Sequence, residues 1–112
     1  MEWINRNKIE RLSQEIGAEN LPLLIEIFLS ELSTYQKNLS DEKNAGRLAY
    51  LAEISHALKS SAASFGADRL HAKAQALDHQ FKQGIAIDEA IEVASMIDKL
   101  KHTAHHYDQL IN

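Results

Sequence analysis

Cysteine is absent from the 112 residues, which excludes disulfides, thiolate metal sites and thiol nucleophiles and leaves the redox compartment open. Proline occurs once and glycine four times, so turn markers are scarce, and no strand-type alternation appears. An excess of basic charge is also missing. The formal charge is −4, and no segment gathers lysine and arginine into a patch that would neutralise a row of phosphates, so nucleic-acid binding is not expected. No run approaches the length of a membrane span, and Met1 to Arg11 mixes charged with apolar residues where a signal peptide carries an unbroken apolar stretch. The expectation is a soluble, cytoplasmic protein with no membrane association. A glycine-rich phosphate loop, a nucleotide-binding pattern and a nucleophile elbow are all absent, which argues against an autonomous kinase or hydrolase.

What is present is helix-forming and core-filling. Ala, Leu, Ile, Glu, Lys and Gln dominate, and 45% hydrophobic residues suffice for one modest core, so residues 1–112 are expected to form a single domain. Ile9, Leu12 and Ile16 make a short apolar stripe ending at Gly17. Asn20 is the expected N-cap of a long second helix, with Pro22 in its first turn and Leu21, Leu24, Ile25, Phe28, Leu32, Tyr35 and Leu39 on one face. A third stripe, Leu48, Leu51, Ser55, Leu58, Ala62 and Phe65, runs to Gly66, where the chain reverses. A fourth follows with Ala67, Leu70, Ala74, Leu77 and Phe81. The fifth, Ala90, Val93, Ile97, Leu100, Ala104, Tyr107 and Ile111, starts after a capping Asp88. Four long amphipathic helices with short connections predict an all-α, antiparallel up-and-down four-helix bundle, with the short N-terminal helix as a lid or brace.

On a helical wheel His56 lies roughly 140° from the centre of the third stripe and should face solvent. Its neighbours one and two turns away on that face are Ala49, Ala52, Ser60 and Ala63. A solvated helix face ordinarily carries long hydrated side chains, as at Glu26, Glu31 and Lys37 of the second helix, so a ring of small residues around one imidazole stands out. The wheel alone remains compatible with alanine chosen for helix propensity and with one surface histidine among six. Ser55 falls inside the apolar stripe, where a hydroxyl bonded back to the preceding turn explains it.

The run His56-Ala57-Leu58-Lys59-Ser60-Ser61-Ala62-Ala63-Ser64-Phe65-Gly66-Ala67, followed by Leu70, Ala74, Leu77 and Asp78, separates these readings. It resembles the histidine phosphotransfer (HPt) domains of bacterial and fungal phosphorelays, whose signature is H-x-L-K-G, a small-residue run, an apolar residue and a glycine. Similarity is closest over the third and fourth helices, and the helix layout matches over the whole chain. Within the family the chain looks most like free-standing domains of bacterial quorum sensing.

The resemblance implies that His56 accepts phosphoryl from an aspartate of a hybrid sensor kinase's receiver domain and donates it to the receiver domain of a response regulator. Imidazole suits such a carrier: its neutral form is nucleophilic near pH 7, and a phosphoramidate is itself a reactive donor. Lys59, one turn on, takes the family's role of a cation that offsets charge on the moving phosphoryl oxygens. Ser60 stands where the family usually has glycine. Asp78 occupies the place of an acidic or amide side chain that holds the imidazole through Nδ1. It is one methylene shorter than the glutamate or glutamine often found there. Gln75 and Lys82 flank it as candidates for partner contact, beside the reading of both as solvated-face residues. Magnesium is held by the receiver in this family, so no cofactor is implied for this chain. Docking of modest area on an exposed face implies transient exchange and a monomer.

Two rivals come from other classes. His102 and His106 have the four-residue spacing that lets two imidazoles share a metal, with His105 nearby, but no matching carboxylate is expected on that face, so no metal is assigned. A non-catalytic helical interaction module needs only the stripes, and in it His56 is dispensable.

Overall fold

Each apolar stripe becomes one helix, because a face repeating every three to four residues can leave water only by packing against another such face. The computed structural model describes residues Met1–Asn112. Its helices are α1 (Arg6–Ile16), α2 (Leu21–Leu39), α3 (Arg47–Phe65), α4 (Asp68–Lys82) and α5 (Glu89–Ile111), with a 3-10 turn at Ala18–Asn20. The most extensive contacts are α3 with α4 and α2 with α5, and α1 braces the bundle against α2 and α3. No helix is long and apolar enough to cross a membrane.

The core is one cluster that includes Ile25, Phe28 and Leu32 of α2, Leu51, Leu58 and Ala62 of α3, Leu70, Ala74 and Leu77 of α4, and Val93, Leu100 and Tyr107 of α5. Phe28 stacks on Phe65 with ring centroids 4.4 Å apart and meets the edge of Tyr107 at 5.2 Å, so three aromatic residues seal one end of the bundle. The Tyr107 hydroxyl donates to the Phe65 carbonyl at 2.7 Å, satisfying an acceptor that the end of α3 leaves free.

Several details depart from the sequence reading. Leu48, in the first turn of α3, is 36% exposed although it lies two turns before the fully buried Ser55, and Ile54 joins the buried face. On α5 the core takes Met96 and Thr103, while Ala90 is exposed and Ile97 and Ala104 are half-buried. Both registers satisfy the helical period, and they differ by one position on alternate turns. Asp88 caps α5 as expected, its side chain accepting from the Ile91 amide at 3.1 Å. Asn20 does not cap α2: the preceding 3-10 turn puts it in helical conformation, and its amide donates back to the Ile16 carbonyl at 2.7 Å. The fully buried Ser55 hydroxyl makes no bond back to the preceding turn and, like Thr103, has no partner. Glu31 is half-buried, accepting from the Tyr35 hydroxyl at 2.8 Å and the Ser61 hydroxyl at 3.3 Å across the α2–α3 seam. Burial, then this bond, pushes the Tyr35 phenol up.

Gly66 fixes the reversal between α3 and α4. Its φ is +75°, the left-handed region, and a Cβ there would stand 2.8 Å from the Asn5 carbonyl oxygen and 3.0 Å from Lys8 Cβ. The same glycine accepts the Asn5 amide at 2.7 Å, binding the N-terminal segment to the turn. Gly66→Ala combines a left-handed strain of about 1–2 kcal/mol with a steric overlap. Thermal denaturation should show the midpoint lowered by roughly 10 °C; an unchanged midpoint would show that this close approach relaxes freely.

Candidate functional site

The buried stripe of α3 dictates what its other side presents. With Leu51, Leu58 and Ala62 inward, His56 points outward, its side chain 67% exposed. Ala49 and Ser60 beside it are exposed, and Ala52 and Ala63 are half-buried, so the neighbours nearest to its line on α3 are small. Ala63 also lines a hollow with Lys8, Arg11 and Leu12 of α1, which places the brace at the edge of the small-residue face.

The α3–α4 hairpin brings Asp78 level with His56. Asp78 is only 4% exposed, yet both of its carboxylate oxygens have partners. Oδ1 lies 3.3 Å from His56 Nδ1, and Oδ2 accepts from Lys59 Nζ and from Lys82 Nζ, each at 2.9 Å. Hydrogen bonds from Lys59 first, then Lys82, hold the Asp78 carboxyl well below the usual carboxylate range, overcoming the opposite effect of burial. The same bond to Asp78 raises the Lys59 ammonium above its ordinary value. Aspartate therefore has the reach that its shorter chain put in question. Lys82, read from the sequence as a candidate partner contact, is tied to Asp78 one turn before it. The spacing of four residues was the available signal, since an acid and a base so placed share one side of a helix. Gln75 and His79 are exposed and line an open hollow with Lys59 and Lys82 on the outer side of α4.

The chemistry open to this arrangement follows from the ring's two edges. When Nδ1 carries the proton and donates to the ionised Asp78, Nε2 keeps its lone pair on the opposite edge of the ring. The site thus offers an oriented nucleophile with a cation one turn away.

The histidines of α5 are arranged differently. Trp3 stacks on His106 at 5.6 Å and tilts against His102 at 5.3 Å, with the Arg69 guanidinium 4.7 Å from its ring, so His106 is half-buried rather than solvent-facing. A carboxylate does accompany them, contrary to the sequence reading: Asp98 Oδ1 is 3.4 Å from His102 Nδ1. No three His, Asp or Glu side chains are grouped to hold a metal ion.

The family model described as "Hpt domain" matches residues 23–103, from the first turn of α2 through most of α5 and including the whole His56–Asp78 constellation. The chain belongs to the Hpt domain family. Its relatives include the phosphorelay protein LuxU of Vibrio cholerae, 54% identical over 111 residues that cover 99% of this chain and 98% of the relative. LuxU of Vibrio vulnificus is 53% identical over 107 residues, covering 96% and 93%, and LuxU of Vibrio harveyi is 45% identical over 109 residues, covering 97% and 96%. No solved structure matches the chain. This Hpt domain is a phosphorelay protein of the LuxU kind, and Hpt domains are phosphoryl carriers rather than autonomous kinases.

Proposed function

We propose that His56 is the residue that carries the phosphoryl group, taking it from the receiver domain of a hybrid sensor kinase and passing it to the receiver domain of a response regulator, within a quorum-sensing phosphorelay. The observation that carries this reading is an imidazole open to solvent on one edge and tied to a buried, ionised carboxylate on the other. In the forward step the Nε2 lone pair forms a P–N bond as the P–O bond to the receiver aspartate breaks, and that carboxylate leaves with the electron pair. The second receiver's aspartate reverses the step. Lys59 offsets charge on the phosphoryl oxygens in both directions, and Asp78 keeps the Nδ1 proton in place so that Nε2 remains the attacking atom.

Residues 1–112 act as one module: the family match covers α2 to most of α5, and the N-terminal segment is bonded to the Gly66 turn and to Arg69. Ala49, Ala52, Ser60 and Ala63 form the surface on which a receiver settles, with Gln75 at its α4 side. The function is tested by mixing the protein with one phosphorylated and one unphosphorylated receiver domain. Label moves to the second receiver only when this protein is present; if it never leaves the first, the carrier role is wrong.

The docking role of the small-residue face has its own test. Ala52→Leu adds bulk on the outward side of α3, where it should leave the thermal midpoint within a few degrees and slow transfer by about tenfold through loss of close approach. Ala52 is a cleaner position than Ala63, whose enlargement also presses on α1. Equal rates in parent and Ala52→Leu would remove the face from the docking surface.

A further inference from the structure

Asp78 Oδ2 is shared by two ammonium groups that reach it from different helices, Lys59 of α3 and Lys82 of α4, each at 2.9 Å. Their settings differ. Lys59 stands one turn from His56 on the same helix, while Lys82 stands one turn past Asp78 with 55% of its side chain exposed. A phosphoryl group arriving on Nε2 brings new negative charge beside Asp78 and draws the Lys59 ammonium toward its oxygens. Asp78 is almost fully buried. Stripped of its cations there, it would take up a proton or turn away, and either change releases the Nδ1 edge of His56.

We propose that Lys82 is a positioning residue for phosphotransfer: it holds the Asp78 carboxylate ionised and turned toward His56 Nδ1 while Lys59 moves to the phosphoryl group. This deepens the function proposed above and rests on it. Lys82 keeps its own bond to Oδ2 when Lys59 gives up the other, so the tautomer that exposes the Nε2 lone pair persists through both half-reactions. The other side chains bordering this hollow, Gln75 and His79, form no ion pair with Asp78, so no further cation is at hand to take its place.

Two measurements test the proposal. The first is the rate of phosphoryl uptake from a phosphorylated receiver in the parent, Lys82→Met, Asp78→Asn and the double variant. Lys82→Met should slow uptake by about fivefold in the parent and add nothing once Asp78 is Asn, and Lys82→Arg should restore most of the rate. The second is the nitrogen NMR signature of the His56 ring in Lys59→Met, where Lys82 alone holds Asp78. Adding Lys82→Met should move the ring from mainly Nδ1-protonated to a mixture of tautomers. A loss of the same size in the Asp78→Asn background, an unaltered rate in Lys82→Met, or an unaltered ring signature overturns the proposal, the first outcome making Lys82 a partner contact. The ring signature requires no phosphoryl transfer. A parent protein that takes up no label therefore contradicts the carrier reading and leaves the role of Lys82 to be decided by NMR.

Discussion

His56→Gln should take up no label from a phosphorylated receiver domain, a loss of at least about a hundredfold, while unfolding at nearly the temperature of the parent. The side chain is 67% exposed, so its replacement opens no cavity, and glutamine is a good helix former that keeps a polar group within reach of Asp78. What it lacks is a ring nitrogen with a lone pair. The experiment separates a relay from a helical bundle that only binds partners, since in the latter the histidine is dispensable. Uptake at the parental rate with the fold intact would remove His56 from the chemistry, and the account of Lys59 and Asp78 with it.

Asp78→Asn should have the second largest effect, slowing uptake on the order of tenfold and changing the acid response of the fold. An amide that turns its oxygen to Lys59 and Lys82 turns its NH2 toward His56 Nδ1, which favours the proton on Nε2 and disarms the attacking nitrogen. The pH effect has a definite sign. The folded Asp78 carboxyl is held below its unfolded value, near 3.9, so the unfolded chain binds more protons in that region and stability rises with pH. The contribution is complete above about pH 5 and is lost as pH falls below about 4 toward the folded value. Chemical denaturation from pH 7 down to pH 3 should therefore show the parent losing more stability than Asp78→Asn. Parallel curves would mean that the two lysines do not hold the carboxylate as the geometry requires.

The fold was legible because amphipathic helices write their burial into the sequence. The stripes through Ile25, Phe28 and Leu32, and through Leu70, Ala74 and Leu77, are the faces that the bundle buries. Errors gathered where the period does not choose between neighbours. Met96 or Ile97, and Thr103 or Ala104, suit the fifth stripe equally, and only contact with the other helices decides. Leu48 shows the limit of reading by period: it lies on the stripe two turns before Ser55, yet in the first turn of α3 it stays 36% exposed. The brace was expected, but not the N-terminal segment tied to Gly66 or Trp3 stacked on the α5 histidines, since neither follows from any periodicity.

The structure brings His56, Lys59 and Asp78 together as the sequence reading expected, and the reason is the hairpin. A glycine turn sets the register, and register sets which α4 residue meets the imidazole. The near-complete burial of Asp78 was not legible, because side-chain burial at a helix–helix seam depends on the distance between axes, which no single helix encodes, whereas its pairing with Lys82 had a signal in the four-residue spacing that the sequence reading did not use. Ser55 was misread for a related reason: a local bond to the preceding turn was assumed, and the hydroxyl makes none.

The most direct measurement is to label the protein from a phosphorylated receiver domain and map the phosphate to a residue while following its survival in acid and in base. An acid-labile, base-stable phosphate on His56 and nowhere else is the expected result. A phosphate that survives acid, or one that maps to a residue other than His56, would contradict the account.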